Sequence, residues 1–244
     1  MKFLAHRGFS RRFAENSLPA FKAVIEHPCN GRSLVGIELD IHLTSDDRIP
    51  VMHETSVRND TGKRVPVSRC TFDDLRRLFH NEHGPSVPDV PSLEEVLELV
   101  DHRTELCFEI KEGSYDIDRF SRCFAAALAV YRPCGDVVVS SFSVDILEKV
   151  RPLLARFNLR YGYIFKTMEA LASLPSGGVS RFDFLHPHYR LALHAPEHLF
   201  AGGPPLRCWT VNDANIVRRL AGLAPSVPVD AVMTDDIDLA ALFP

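Results

Sequence analysis

The segment 35–43 places acidic and imidazole side chains next to one another within an apolar stretch. Side chains of a β-strand alternate between its two faces, so residues two positions apart share a face. One face of this segment is apolar and consists of Val35, Ile37, Leu39, Ile41 and Leu43. The other face carries Glu38, Asp40 and His42. Neighbouring carboxylates repel each other unless water or a cation separates them, and carboxylate oxygens are ligands that Mg²⁺ and Ca²⁺ prefer. This face is therefore either the solvated side of an antiparallel edge strand or a metal site.

Other residues with complementary chemistry lie on or directly after neighbouring predicted strands. They are His6, Arg7, His53, Glu109 and Lys111. Burying charged groups without partners costs several kcal/mol each, so these groups are either exposed or neutralise one another and a ligand. Three carboxylates can hold a divalent cation, two histidines can transfer protons near neutral pH, and an arginine with a lysine can bind an anion. A phosphoryl group fits this combination, because phosphoryl transfer depends on charge neutralisation and in-line proton transfer.

The elements that must position these residues alternate between strands and helices. Predicted strands span residues 3–6, 35–43, 105–111, 136–141, 159–165, 182–186, 206–211 and 229–233. Predicted helices run from a cap at Ser17 or Asn16 to about His27, from the Ser92 capping box to about Val100, and near 116–131, 143–156, 167–174, 190–200, 213–222 and 236–242. This alternation predicts an α/β fold of parallel βαβ units, and eight strands predict a TIM (β/α)₈ barrel, whose usual size is about 250 residues. A doubly wound open sheet is the alternative, although no glycine-rich dinucleotide loop or Walker loop follows any strand.

Residues 48–90 interrupt this alternation. The segment 48–53 alternates in polarity and predicts a strand that forms a hairpin with the preceding one. Residues 55 to about 90 contain several glycines and prolines and one short helical stretch, 71–79. We therefore predict a small loop-rich insertion after the hairpin, within a single domain that spans residues 1–244.

Composition and charge limit the classes of protein to which the chain can belong. Of its 244 residues, 45% are hydrophobic and 25% are charged, which is typical of a soluble globular protein. Lys and Arg total 28 against 32 for Asp and Glu, and no basic stripe occurs, so we expect no nucleic-acid partner. The sequence has no signal-peptide core and no window of roughly 20 apolar residues, so we expect no integral membrane segment. The six cysteines lack C-x-x-C spacing, which favours a reducing, cytoplasmic location.

Eight short motifs resemble the glycerophosphodiester phosphodiesterase family in their order and spacing. They are His6-Arg7-Gly8, Glu15-Asn16-Ser17, Glu38-Leu39-Asp40, His53-Glu54, Pro91-Ser92-Leu93-Glu94-Glu95-Val96-Leu97, Phe108-Glu109-Ile110-Lys111, Trp209-Thr210-Val211-Asn212 and Met233-Thr234-Asp235. The resemblance covers essentially the whole chain. It implies a TIM barrel with a small insertion after the hairpin, in agreement with the pattern of elements.

The resemblance also implies a role for each candidate residue. Mg²⁺ or Ca²⁺ would be coordinated by Glu38, Asp40 and Glu109. The acid/base pair would be His6 and His53, phosphate oxygens would be contacted by Arg7 and Lys111, and the glycerol or alcohol would pack against Trp209. The implied activity is metal-dependent hydrolysis of glycerophosphodiesters to glycerol 3-phosphate and an alcohol. In the implied route the glycerol hydroxyl of the substrate attacks phosphorus, and water then opens the cyclic phosphate. The resemblance leaves open which histidine is the acid, which metal binds, which head group is preferred and what the oligomeric state is.

Two other functions compete with this one. A lysophospholipase D-like relative would use the same residues but would need an apolar rim or a membrane-binding stretch, and no strongly amphipathic anchor occurs in the sequence. A non-catalytic barrel that binds an anion or a protein would tolerate the loss of a metal ligand or a histidine, and none of these residues is missing.

Several further residues have no role in the resemblance. We expect His42 in a supporting structural position, whereas His186 at the end of the sixth strand stays a candidate for ligand contact. The acidic run 235–238 is expected to begin a helix, where the helix dipole favours negative charge. The segment 229–231 replaces a more usual glycine-containing run, and we expect it to alter the last loop and hence substrate preference.

Overall fold

Eight parallel strands close into a barrel, which confirms the predicted TIM barrel. The computed structural model describes residues 1–113, 115–131, 137–174, 178–194 and 200–243. In chain order the strands are β1 (Lys2–His6), β2 (Leu34–Ile41), β3 (Ser56–Arg58), β4 (Arg64–Pro66), β5 (Glu105–Ile110), β6 (Val137–Ser141), β7 (Arg160–Phe165), β8 (Phe184–Pro187), β9 (Leu206–Cys208) and β10 (Val229–Thr234). Neighbouring strands of the barrel follow the order β1-β10-β9-β8-β7-β6-β5-β2. Because β1 pairs in parallel with both β2 and β10, the sheet has no open edge, and the alternative of an open sheet is excluded.

Helices follow the barrel strands as the sequence pattern predicts. They are α1 (Leu18–Ile25), α3 (Leu93–Val100), α4 (Ile117–Val130), α5 (Val144–Leu153), α6 (Met168–Ala172), α7 (Tyr189–His194) and α8 (Ala214–Ala221), whereas α2 (Phe72–His83) lies within the insertion. The hydroxyl of Ser17 accepts a hydrogen bond from the N–H of Ala20 and caps α1. At the start of α3, Ser92 and Glu95 form the predicted reciprocal capping box. None of the helices in the described ranges is long and apolar enough to cross a lipid bilayer.

The ends of some predicted elements differ from the structure. The last predicted helix, 236–242, is a 3₁₀ helix over Ile237–Leu242. Residues 195–199 of the helix predicted near 190–200 lie outside the described residues, as does residue 136 of the fourth predicted strand.

The predicted strand over residues 48–53 is replaced by isolated bridges. The chain turns back after β2, and Val51 forms one antiparallel bridge with Ile41. Pro50 has no N–H to donate, and the N–H of Val51 donates to the carbonyl of Pro91 instead of to β2. Because the segment divides its backbone hydrogen bonds between β2 and the chain that enters α3, a continuous hairpin ladder does not form.

The insertion holds more regular structure than the expected loops. Strands β3 and β4 pair in an antiparallel ribbon, and α2 follows with Thr71 as its N-cap. These elements enclose a small apolar cluster that consists of Met52, Val57, Val67, Cys70, Leu75, Leu78 and Val90. Because its apolar residues come from both the ribbon and the helix, the cluster ties the two together.

A β-bulge changes the predicted facing of Val35. As predicted, Ile37, Leu39 and Ile41 belong to the large core that also contains residues of the surrounding helices. The register between β1 and β2 shifts near the start of both strands. As a result, Val35 packs against a second apolar cluster, which lies inside the barrel. One extra residue in a strand inverts the facing of every residue before it, and the alternation of residue types does not reveal this.

A buried ion pair fills the opposite, amino-terminal end of the barrel. Arg207 on β9 is only 1% exposed; its Nε donates to Asp230 Oδ2 at 2.8 Å, and its guanidinium lies 3.8 Å from the ring centroid of Phe184. Asp230 is the second residue of β10 and so lies far along the strand from the last loop. In the structure Asp230 neutralises a buried cation, and the expectation that the segment 229–231 alters the last loop stays a prediction.

We predict that Asp230→Ala lowers the free energy of unfolding by about 3–5 kcal/mol, because it removes the closest carboxylate partner of the buried guanidinium of Arg207 and leaves only Glu105 at 4.0 Å. Denaturant unfolding measures this change. The matched control is Asp145→Ala, which removes an exposed partner of Lys149 and should cost less than about 1 kcal/mol. Equal losses of unfolding free energy in the two variants would contradict a stabilising role of the buried pair.

Candidate functional site

The predicted site residues converge on one cavity at the carboxyl ends of the barrel strands. The cavity has a volume of about 240 Å³ and is lined by His6, Arg7, Glu38, His53, Glu109, Lys111, Ser140, Phe142, Ile164, Lys166, His186, Trp209 and Met233. Asp40, the remaining predicted site residue, lies buried directly beside Glu38 and Glu109. Catalytic residues of TIM barrels are found at this end of the barrel.

A tight turn after β1 brings two of these residues to the cavity. Arg7 and Gly8 both have positive φ angles, of 58° and 83°. A Cβ atom at Gly8 would lie 2.8 Å from the Cβ of Ala20 on α1, so only glycine fits this turn. The backbone N–H of Arg7 donates to the carbonyl of Glu38 at 2.8 Å, which fixes the end of β1 against β2.

Three buried carboxylates form the centre of the site. Glu38 and Asp40 are two residues apart on β2, and Glu109 is the register partner of Asp40 on β5. One carboxylate oxygen of each residue lies within 4.8 Å of the others. Strand alternation and parallel pairing are therefore sufficient to bring the three side chains together inside the barrel.

Burial and mutual repulsion perturb the ionisation of these carboxylates. Burial, together with the charges of Asp40 and Glu109, raises the pKa of Glu38 well above its ordinary value. Burial and the charge of Asp40 likewise raise the pKa of Glu109 to about 7. Burial also opposes ionisation of Asp40, but Lys111, Arg7 and a hydrogen bond from Asn16 outweigh it and lower the pKa.

Two cations neutralise this cluster only in part. Lys111 Nζ lies 2.7 Å from Glu109 Oε1 and 3.3 Å from Asp40 Oδ1, and Arg7 Nε lies 3.1 Å from Asp40 Oδ2. Arg7 also pairs with the carboxylate of Glu15 at 2.9 Å. When all groups are ionised, the three carboxylates of the centre exceed these two cations by one negative charge.

The donor set fits a divalent metal ion. All its ligand atoms are carboxylate oxygens, which suit Mg²⁺ or Ca²⁺ rather than a softer metal. Asp40 Oδ1 is buried and accepts no hydrogen bond of good geometry within the described residues. A cation beside this oxygen would remove the repulsion that raises the pKa of Glu38 and Glu109.

Asn16 holds Asp40 in place, a function that the sequence analysis missed. Its amide Nδ2 donates to Asp40 Oδ2 at 2.8 Å, and its Oδ1 accepts the backbone N–H of Asp40 at 3.2 Å. The residue is 3% exposed and has a positive φ. The Glu15-Asn16-Ser17 motif was the available signal, but only helix capping was considered for it.

Asp235 is the second residue that the sequence analysis missed. It was assigned to an acidic helix start, but its Oδ1 lies 2.6 Å from His6 Nδ1. Partial burial opposes its ionisation, whereas hydrogen bonds from His6, Asn212 and Ser10 outweigh this effect and lower its pKa to about 2. An ionised carboxylate can only accept hydrogen bonds, so His6 Nδ1 must donate and the neutral ring leaves Nε2 as an acceptor.

His53 differs from His6 in its surroundings. It is about half-buried, and burial together with the positive charges of Arg7 and Lys111 lowers its pKa. The ring is therefore neutral at pH 7 and able to accept a proton. His42 does not line the cavity; burial lowers its pKa to about 4, in line with the expected structural position.

Aromatic side chains form the far wall of the cavity. Trp209 lies directly after β9, and its ring meets the ring of Phe142 edge-on with centroids 5.6 Å apart. The indole N–H donates to the carbonyl of His186 at 2.7 Å, which fixes the plane of the tryptophan. His186 itself lines the cavity floor, where its ring occupies the space that a side chain at Gly162 would need.

Comparison with solved structures finds the same fold. A glycerophosphodiester phosphodiesterase from Thermotoga maritima superposes with a TM-score of 0.73 at 24% identity and covers 99% of this chain and 97% of its own. A phosphodiesterase from Oleispira antarctica, solved in complex with the product sn-glycerol-3-phosphate, gives a TM-score of 0.77 at 19% identity. Its alignment covers 99% of this chain and 96% of that one.

Sequence comparison is more specific than the fold. A glycerophosphodiester phosphodiesterase from Bacillus altitudinis is 28% identical over 258 aligned positions, which cover 98% of this chain and 96% of the relative. The sequence model of the glycerophosphoryl diester phosphodiesterase family matches residues 6–239, a range that begins at the cavity histidine of β1 and contains every candidate site residue. The chain therefore belongs to the glycerophosphoryl diester phosphodiesterase family.

Proposed function

We propose that this protein hydrolyses glycerophosphodiesters to glycerol 3-phosphate and an alcohol, in a reaction that depends on Mg²⁺ or Ca²⁺. The observation that carries the proposal is the convergence of three buried carboxylates, two histidines and two cations on one cavity. Family membership supports it, as do the name of the B. altitudinis relative and the glycerol 3-phosphate bound to the O. antarctica enzyme.

The metal would be held by Glu38, Asp40 and Glu109. When bound, a divalent cation polarises a phosphoryl oxygen and neutralises charge that develops in the transition state. Arg7 and Lys111 line the same cavity and supply the positive charge that binds the remaining phosphate oxygens. Together, the three carboxylates, Arg7 and Lys111 carry one excess negative charge when all are ionised. A bound divalent cation would change this to one excess positive charge, and a phosphodiester monoanion would then balance it.

The surroundings of the two histidines support different roles for them. We assign the base to His53, whose lowered pKa keeps it neutral and able to accept the proton of the attacking glycerol hydroxyl. We assign the acid to His6, because its Nδ1 is held by the ionised Asp235 and only Nε2 is left to exchange a proton with the leaving alcohol. His6 would protonate the leaving alcohol oxygen, and the two roles would reverse when water opens the cyclic phosphate.

The size of the cavity favours this function over its alternatives. A volume of about 240 Å³ lies below the range of about 300–1,000 Å³ that is usual for drug-sized ligands, so a small diester fits better than a lysophospholipid. A non-catalytic anion-binding barrel would have no need for two histidines at the same cavity, one of them oriented by a carboxylate.

We predict that EDTA abolishes turnover of a glycerophosphodiester and that Mg²⁺ or Ca²⁺ restores it. The cation should also stabilise the folded protein, by about 2.7 kcal/mol at a concentration one hundred times the Kd. Thermal unfolding with and without cation measures this second effect. Glu109→Gln should lose the cation-dependent stabilisation, whereas Glu98→Gln on the exposed face of α3 should keep it. Full activity in EDTA would rule out the metal.

Removal of either cavity histidine should slow the chemical step. His6→Ala and His53→Ala should each lower kcat by about 10²- to 10⁴-fold, the usual contribution of a general acid or base. Steady-state kinetics with a glycerophosphodiester measures this, with His80→Ala on α2 as a control that should behave like the wild type. Unchanged kcat in both cavity variants would refute the acid/base pair.

Asp235→Asn should impair the reaction through His6. An asparagine amide can donate to Nδ1 and so favour the tautomer in which Nε2 carries the proton of the neutral ring. We expect kcat to fall by about 10²- to 10⁴-fold with KM nearly unchanged. Asp238→Asn, which removes an exposed partner of Arg12, is the control. A wild-type kcat in Asp235→Asn would contradict the positioning role.

A further inference from the structure

The strand order of the barrel divides the cavity into two halves of different chemistry. Strands β1, β2 and β5 are neighbours, and with the loops that follow them they supply one half: His6, Arg7, Glu38, His53, Glu109 and Lys111. Strands β6 to β10 supply the other, which we call the distal half: Ser140, Phe142, Ile164, Lys166, His186, Trp209 and Met233. The phosphate and the metal both belong to the first half, so the distal half must receive another part of the ligand.

The distal half is largely apolar and aromatic, and its one charged residue outside the imidazole of His186 is a lysine. Its wall consists of Phe142, Ile164, Trp209 and Met233, and both carboxylates that line the cavity belong to the opposite half. Lys166 follows the last residue of β7 and is exposed at the mouth. A ligand group that enters the distal half therefore meets a cation and no anion among the residues that line it.

Lys166 has no charged partner among the described residues, whereas Lys111 is already paired with two carboxylates. Lys111 Nζ is held by two buried carboxylates at 2.7 and 3.3 Å. Lys166, by contrast, forms no hydrogen bond or ion pair with any residue in the ranges that the structure describes. A lysine that lies at the mouth of a pocket and has no partner within the protein attracts anionic groups of a ligand and repels cationic ones.

The chemistry of the substrate decides which arm of the diester reaches the distal half. The glycerol hydroxyl must come within bonding distance of phosphorus, so the glycerol arm folds back against the phosphate. The leaving alcohol departs in line on the opposite side of phosphorus and is the arm that can extend away from it. We propose that the distal half receives the head group and that Lys166 selects substrates with an anionic head group over those with a cationic one. This inference rests on the proposed phosphodiesterase function.

The aromatic wall alone would favour a cationic head group over an anionic one. A quaternary ammonium binds over aromatic rings, and Trp209 and Phe142 meet edge-on at an angle of 85° in the wall of the distal half. The charge of Lys166 opposes such a ligand, and a wild-type preference for a cationic head group would overturn the inference.

Three synthetic glycerophosphodiesters with head groups of equal length test the proposal: esters of 3-hydroxypropanoate, 1-propanol and 3-aminopropanol. For the wild type we expect kcat/KM to be about three- to tenfold higher for the anionic ester than for the cationic one at low ionic strength. Lys166→Met should bring the two values to within about twofold of each other, and Lys166→Glu should reverse their order. The neutral ester, which carries only the charge of its phosphodiester, serves within each protein as the reference for the two charged esters.

Lys149→Glu on α5 is the matched control, because it makes the same change in net charge at an exposed lysine outside the cavity lining. It should keep the wild-type order of the three esters. If Lys166→Glu hydrolyses the neutral ester but keeps the wild-type ratio of kcat/KM for the two charged esters, the inference is overturned and the proposed function is left intact. Absence of turnover for all three esters in the wild type would overturn both.

Discussion

The structure depends on the burial of three like-charged side chains at one point of the barrel. Glu38, Asp40 and Glu109 lie within a few ångströms of one another, and each is at most 7% exposed. Such an arrangement is unfavourable unless other groups neutralise it. Arg7 and Lys111 neutralise two of the three charges, and the remaining charge is the reason why the site fits a divalent cation.

Buried charges are neutralised differently at the two ends of the barrel. At the amino-terminal end, the charge of Arg207 is balanced by Asp230 and covered by the ring of Phe184, so this end is closed and contributes to stability. At the carboxyl end the charges do not balance, a cavity remains open, and the surrounding residues serve to hold the carboxylates and His6 in position. Asn16 and Asp235 are the clearest examples, because each forms hydrogen bonds to a residue of the centre.

The sequence was most informative where a short-range rule determines geometry. Alternation along a strand placed Glu38 and Asp40 on one face, and alternation of strands with helices predicted the barrel that brings Glu109 beside them. The rule failed at Val35, because a bulge depends on how two strands pair and leaves no mark in the alternation of residue types.

Contacts between distant parts of the chain could not be predicted in the same way. Asp235 is separated from His6 by 229 positions, and an acidic run after a strand also fits an ordinary helix start. Asn16 was read as a capping residue, although its amide reaches Asp40 across the barrel mouth. A crystal structure of the protein grown with Mn²⁺ shows whether the unbalanced carboxylates form a single cation site. We expect one anomalous difference peak within coordination distance of Glu38, Asp40 and Glu109. An empty carboxylate centre, with Mn²⁺ bound only elsewhere, would contradict it.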